Sequence, residues 1–193
     1  KMTFTQSGKV AEKIINGVTA YGQNKRDPIA QTFMISKDNY PDGMYIKSLK
    51  LFFKKKPSRV HMPIEVSIVG TLNGIPNGET LDHSRITMPA HKIATSNVPN
   101  YQNANTYTEF ALASPVYIQP DVLYSFIINT ISGDYELYTA AQNEYAIQST
   151  VSANSNTSLT KISSAPYVGQ IFESQNSSTW KGDPTRSLMF VVD

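Results

Sequence analysis

An antiparallel all-β fold, a jelly-roll-like β-sandwich of about eight strands, is what this sequence predicts, and three observations carry the prediction. Apolar residues recur at every second position in several separate runs. The clearest run is 44–56, where Leu49, Leu51 and Phe53 share one face and Ser48 and Lys50 the other. Between the runs stand turn signals such as Pro41-Asp42-Gly43, Asn73-Gly74, Asn77-Gly78 and Ser132-Gly133-Asp134. The remaining stretches are rich in Asn, Ser and Thr, the composition of exposed loops.

A chain of 193 residues suits one domain that buries roughly 70% of its unfolded surface. Hydrophobic residues make up 40% and charged residues 17%, which places the chain outside the disordered range. Seventeen basic and 15 acidic residues leave a net charge of +2, so neither a nucleic-acid partner nor an acidic tail is expected. With no cysteine, disulfides, thiolate-bound zinc, thiol nucleophiles and iron–sulfur clusters are excluded. Apolar runs such as Met189–Val192 fall far short of the roughly 18 residues of a membrane span, and no membrane insertion is expected. No cofactor is expected either. The chain begins at Lys1 and reads as a piece of a longer protein.

Residues 1–26 read as an N-terminal arm or linker, within which Val10–Ile15 suits either one helical turn or an edge strand. The sandwich domain is assigned to 27–193. Asp27-Pro28 marks its boundary, because proline fixes its own φ and pushes the preceding residue toward extended backbone. The first core strand follows at 29–35, where Ile29, Phe33 and Ile35 share a face with Gln31. A glutamine there must be hydrogen-bonded, since an unpaired buried amide costs about 1–3 kcal/mol. The expectation is a structural Gln that ties down neighbouring backbone.

The turn at 40–43 delivers the chain into the 44–56 strand, and Ile64, Val66 and Ile68 alternate in the next, which is expected to pair with it antiparallel. Short strands are expected at 86–88, 108–112 and 115–118. Residues 122–131 carry apolar side chains on both parities, the mark of a strand covered on both faces. Tyr135–Ala140 returns with Tyr135 and Leu137 on one side and Glu136 and Tyr138 on the other. A long loop is expected at 148–164, where the glycosylation sequon at Asn156, like that at Asn176, is no more than such composition produces by chance. Val168–Phe172 and the closing Leu188–Val192 complete the strands, with the chain's single tryptophan, Trp180, on the loop between them.

Several patterns suggest chemistry and fail on geometry. The glycine-rich 70–78 stretch lacks the Gly-Lys-Ser/Thr ending and following helix of a phosphate loop. Asp82-His83-Ser84 holds the residue types of a hydrolase triad, but consecutive residues cannot converge on one reacting atom. His61, His83 and His91 lack zinc-pair spacing. Lys54-Lys55-Lys56 with Arg59 reads as a solvated strand end, with an anionic contact as the other reading. The residues able to stack on a sugar ring are Trp180, Tyr135, Tyr138 and Tyr101. Each has a plainer reading, the tyrosines as ordinary strand or loop residues and Trp180 as a cap on the core, and the cap is the favoured reading.

Two separated phrases carry a resemblance. Asp27-Pro28-Ile29-Ala30-Gln31-Thr32-Phe33 and Gly169-Gln170-Ile171-Phe172-Glu173-Ser174-Gln175-Asn176, the latter leading to Thr179-Trp180, Asp183, Leu188 and Phe190, resemble a module of tail and baseplate proteins of T4-like contractile-tailed bacteriophages. Such modules open on a DPLAQTF-type phrase, with Leu where this chain has Ile29, and close on a phrase of the LFKSQNxSTW kind. The Asn73-Gly74-Ile75-Pro76 stretch looks like a middle phrase of the same module. The resemblance runs from about Asp27 to Val192. It implies a β-sandwich in a virion tail, baseplate or fibre-associated protein that works by assembly and not by catalysis, is assembled in the host cytoplasm, and has other virion subunits, or further copies of itself, as partners. The alternative is a module that binds a host-surface carbohydrate or receptor.

Overall fold

The computed structural model describes residues 2–4, 10–13, 27–59, 61–141, 169–174, 176 and 178–193. In chain order the strands are β1 Met2–Phe4, β2 Val10–Lys13, β3 Ile29–Met34, β4 Met44–Leu51, β5 Phe53–Lys55, β6 Ile64–Leu72, β7 Ile75–Thr80 and β8 Ile86–Met88. They continue as β9 Thr108–Ile118, β10 Leu123–Thr130, β11 Glu136–Ala141, β12 Ile171–Ser174, β13 Trp180–Asp183, β14 Arg186–Leu188 and β15 Phe190–Val192. Among the described residues the helices are two single 3-10 turns, at 90–92 and 104–106. The fold is all-β. Its strand count exceeds the expected eight because two runs break, at Phe52 and at Met189, and because short edge strands are added. The stretches expected as a loop at 148–164 and as the rest of the arm at 14–26 lie outside the described residues.

The strands form three sheets, in the orders β1-β15-β4-β9, β13-β12-β3-β10-β6-β7 with β8 also on β6, and β14-β11-β2 with β5 also on β11. The strand pairings are antiparallel. β4 therefore pairs with β15 and β9, and β6 with β10, β7 and β8, so the expected β4–β6 hairpin is absent. The second sheet curls so far that its terminal strands β13 and β7 come back into contact. From the first 26 residues, β1 pairs with β15 and β2 with β11.

The core lies between the sheets. Phe33, Ile68, Phe126 and Ile171 from one side meet Leu49, Leu51, Phe110 and Phe190 from the other, and Phe53, Tyr135 and Leu137 belong to the same cluster. Phe190 makes an edge-on contact with Phe126 at 4.9 Å between centroids and another with Phe33 at 6.4 Å, so one ring ties two sheets. Each buried side chain of this size contributes roughly 1.5–3 kcal/mol. Leu188, Phe190 and Val192 all enter this core, while Met189 and Val191 join Phe52 and Tyr138 in a smaller cluster on the opposite face.

Strand β4 departs from strict alternation. Lys47 and Ser48 both donate their backbone N–H to the Asp193 carbonyl, at 2.6 and 3.1 Å, which is a bulge. The extra residue reverses the phase, so Ile46 is buried in the same core as Leu49 while Tyr45 points outward, 63% exposed. The expectation that β10 is covered on both faces is not met: Tyr124, Phe126 and Ile128 are buried, but Leu123 and Ile127 are half-buried and Ile131 exposed.

Candidate functional site

The two phrases that carry the resemblance become neighbouring strands. β12 pairs with β3, setting Ile171 opposite Gln31 and Phe172 opposite Ala30. The side chains of Gln31 and Thr32 are bonded to neighbouring backbone. The Thr32 hydroxyl accepts from the Gln170 N–H at 2.9 Å, and the Thr32 N–H donates back to the Gln170 carbonyl at 3.0 Å. Gln31 is fully buried; its Oε1 accepts from the Leu188 N–H at 2.7 Å and its Nε2 donates to the Thr32 carbonyl at 3.0 Å. The structural role expected for Gln31 is the one observed. The middle phrase forms the β6–β7 turn, where Asn73 and Gly74 both have positive φ, 52° and 80°, as a type I′ hairpin requires.

The four stacking candidates are not brought together. Tyr135 is completely buried and donates its hydroxyl to the Met62 carbonyl at 2.5 Å. Burial pushes its pKa up to about 12. Tyr138 lies on the other side of the sheet, as its parity predicts, but that side is covered by Phe52, Met189 and Val191, and its hydroxyl donates to the Ser96 carbonyl at 2.7 Å. Burial raises its pKa too. Neither ring has a face open to a sugar, and both are corrected to core residues. Tyr101 is 41% exposed on the 94–107 loop, which the Thr106 hydroxyl fastens by accepting from the Asn100 N–H and donating to a backbone carbonyl, Asn100 or Asn103.

Trp180 is the candidate that remains at a site. It starts strand β13 instead of sitting in a loop, and it is half-buried, neither a full cap on the core nor a fully presented ring. Beside it opens a cleft of about 450 Å³ lined by Glu173, Asn176, Thr179, Trp180 and Lys181. Asn176 shapes the rim: its Oδ1 accepts from the N–H groups of Ser178 at 3.0 Å and Thr179 at 2.7 Å, and its Nδ2 donates to the Thr179 hydroxyl at 3.2 Å. Glu173 and Lys181 face each other across the β12–β13 ladder, and Arg186 approaches Glu173 at 3.5 Å. At the far end of β13, burial works against the Asp183 carboxylate. Hydrogen bonds from the Thr185 hydroxyl and N–H, with the charges of Arg186 and Lys181, outweigh burial and hold its pKa below the usual range.

Other sequence patterns resolve as structure. The Ser84 hydroxyl is bonded to the backbone of Ile68 and Leu81. In the basic run, Lys56 donates to the Ile93 carbonyl at 2.6 Å and Lys55 lies 4.0 Å from Glu136. Among the described residues no three His, Cys, Asp or Glu side chains are grouped to hold a metal ion.

One surface feature escaped the sequence reading. Tyr45 and Tyr117 form an exposed ring pair across β4 and β9, 5.3 Å between centroids, with the Tyr117 hydroxyl donating to the Asp42 carbonyl at 3.0 Å. The signal was the out-of-phase Ile46, which marks a bulge between Tyr45 and the Leu49 face. Compared with known proteins, the chain matches no family model, no curated protein and no solved structure.

Proposed function

We propose that this chain is a non-catalytic structural module of a contractile-tailed bacteriophage virion, acting in the assembly of the tail, baseplate or an associated fibre. The observation that supports the reading most is the adjacency of the two resembling phrases. They lie far apart in sequence, yet they form the β3–β12 pair and use Gln31, Thr32 and Gln170 to fasten each other and β14. A phrase whose side chains are bonded to buried backbone specifies a fold, and the assembly role is proposed from the resemblance those phrases carry. Its partners are neighbouring virion subunits, and its place is the assembled particle.

The test is complementation. Tail assembly in cells whose phage lacks this gene is expected to stop short of a complete tail, and the purified protein added to such extracts is expected to restore it. Complete, infective tails formed without the protein would overturn the reading.

A further inference from the structure

We propose that the cleft beside Trp180 binds a saccharide, with the indole as the stacking face. The cleft's volume of about 450 Å³ lies within the range of small-molecule sites, about 300–1,000 Å³. Its composition selects the ligand class. A pyranose has an apolar C–H face and a rim of hydroxyls that both donate and accept. The cleft is lined by an indole with a carboxylate, an amide, a hydroxyl and an ammonium around it, from Glu173, Asn176, Thr179 and Lys181; the Asn176 Oδ1 is taken by the Ser178 and Thr179 N–H groups, which leaves one N–H of Nδ2 for a ligand. Glu173 stands opposite Lys181 across the ladder and is approached by Arg186 at 3.5 Å, so its carboxylate is compensated and does not by itself repel an anionic sugar.

The described groups are held in place before binding. Trp180 is fixed by the β12–β13 ladder opposite Ser174, and Asn176 and Thr179 are bonded to each other. Holding these groups in place before binding reduces the ordering entropy that a ligand must overcome. On the same ladder, a Cβ at Gly182 would come 2.9 Å from the Phe172 ring, so the hairpin beneath the cleft is tightly packed. This inference stands apart from the assembly reading, since a structural subunit can carry a sugar site or lack one.

Trp180 is the chain's single tryptophan, so its fluorescence reports on this cleft alone. The experiment screens the full chain on an array of hexoses, N-acetylhexosamines, deoxyhexoses, uronic acids and sialic acids. Each saccharide retained is then titrated while Trp180 emission and acrylamide quenching are followed. At least one is expected to shield the indole from acrylamide. Affinity is expected to fall roughly tenfold in Trp180→Ala, about the worth of one stacking contact, and less in Trp180→Phe. Lys181→Ala and Glu173→Gln alter exposed side chains and keep the test open if Trp180→Ala fails to fold; each is expected to weaken binding. The proposal is overturned if no saccharide shields the indole, if binding persists unchanged in folded Trp180→Ala or in both wall variants, or if it is lost instead in Tyr45→Ala.

Discussion

Gln31 shows how far single residues could be read. Its place on the face of Ile29, Phe33 and Ile35 required a bonded amide, and the bonds to Leu188 and Thr32 supply it. That Leu188 is the partner was not legible, because the two are 157 positions apart in sequence. Gln31→Leu keeps the volume but leaves the buried Leu188 N–H without its acceptor. Stability is expected to fall by about 1–3 kcal/mol, read from the urea midpoint at unchanged m-value. Tyr138 shows the limit. Parity placed it correctly on the face opposite Tyr135, but parity does not tell what covers that face, and Phe52, Met189 and Val191 do. The site was legible to the same degree: Trp180 was named, with Thr179 and Lys181 beside it in the chain, while Glu173 joins it only through the β12–β13 register.

At the scale of elements, alternation located the main core strands and failed where a strand is bulged. In β4 the extra residue at Lys47-Ser48 exchanges the roles of Tyr45 and Ile46, and no period-2 count survives such an insertion. The turn before β4 was plain in its composition, and its geometry is more demanding than composition shows. Gly43 has φ of +76°, and a Cβ there would lie 2.6 Å from the Ile118 carbonyl oxygen and equally close to the Tyr117 hydroxyl. Gly74 has φ of +80°, but a Cβ there would meet nothing within 4 Å. Gly74→Ala is therefore expected to cost only the left-handed backbone strain, about 1–2 kcal/mol. Gly43→Ala is expected to cost more, because β9 must also shift away. Thermal melts of the two variants side by side check the order.

At the scale of the molecule, the sandwich depends on contacts between sheets that no local pattern foretells. Phe190 meets both Phe33 and Phe126, so Phe190→Ala is expected to lose about 3–5 kcal/mol in a denaturant titration. That is a large share of the 5–15 kcal/mol typical of a whole domain. Alkaline pH probes the same interior. Tyr135 ionises near 10 when unfolded but only at about 12 in the fold, so its contribution is whole below pH 10 and declines as pH rises toward 12. Lys50 acts in the same direction. Burial opposes its ammonium, but the 2.7 Å bond to Asp193 and the charges of Asp193, Glu109 and Tyr107 outweigh burial and raise its pKa above the ordinary 10.5. Its contribution is therefore lost as pH climbs past that value. The melting temperature is expected to fall steadily above pH 10, and less steeply in Tyr135→Phe. The proposed membership of an assembled virion is checked by quantitative mass spectrometry of purified tail particles from the phage that carries the gene. This chain is expected in a fixed copy number, in constant ratio to the other tail subunits from one preparation to the next. Its absence from particles that are complete and infective would contradict the claim.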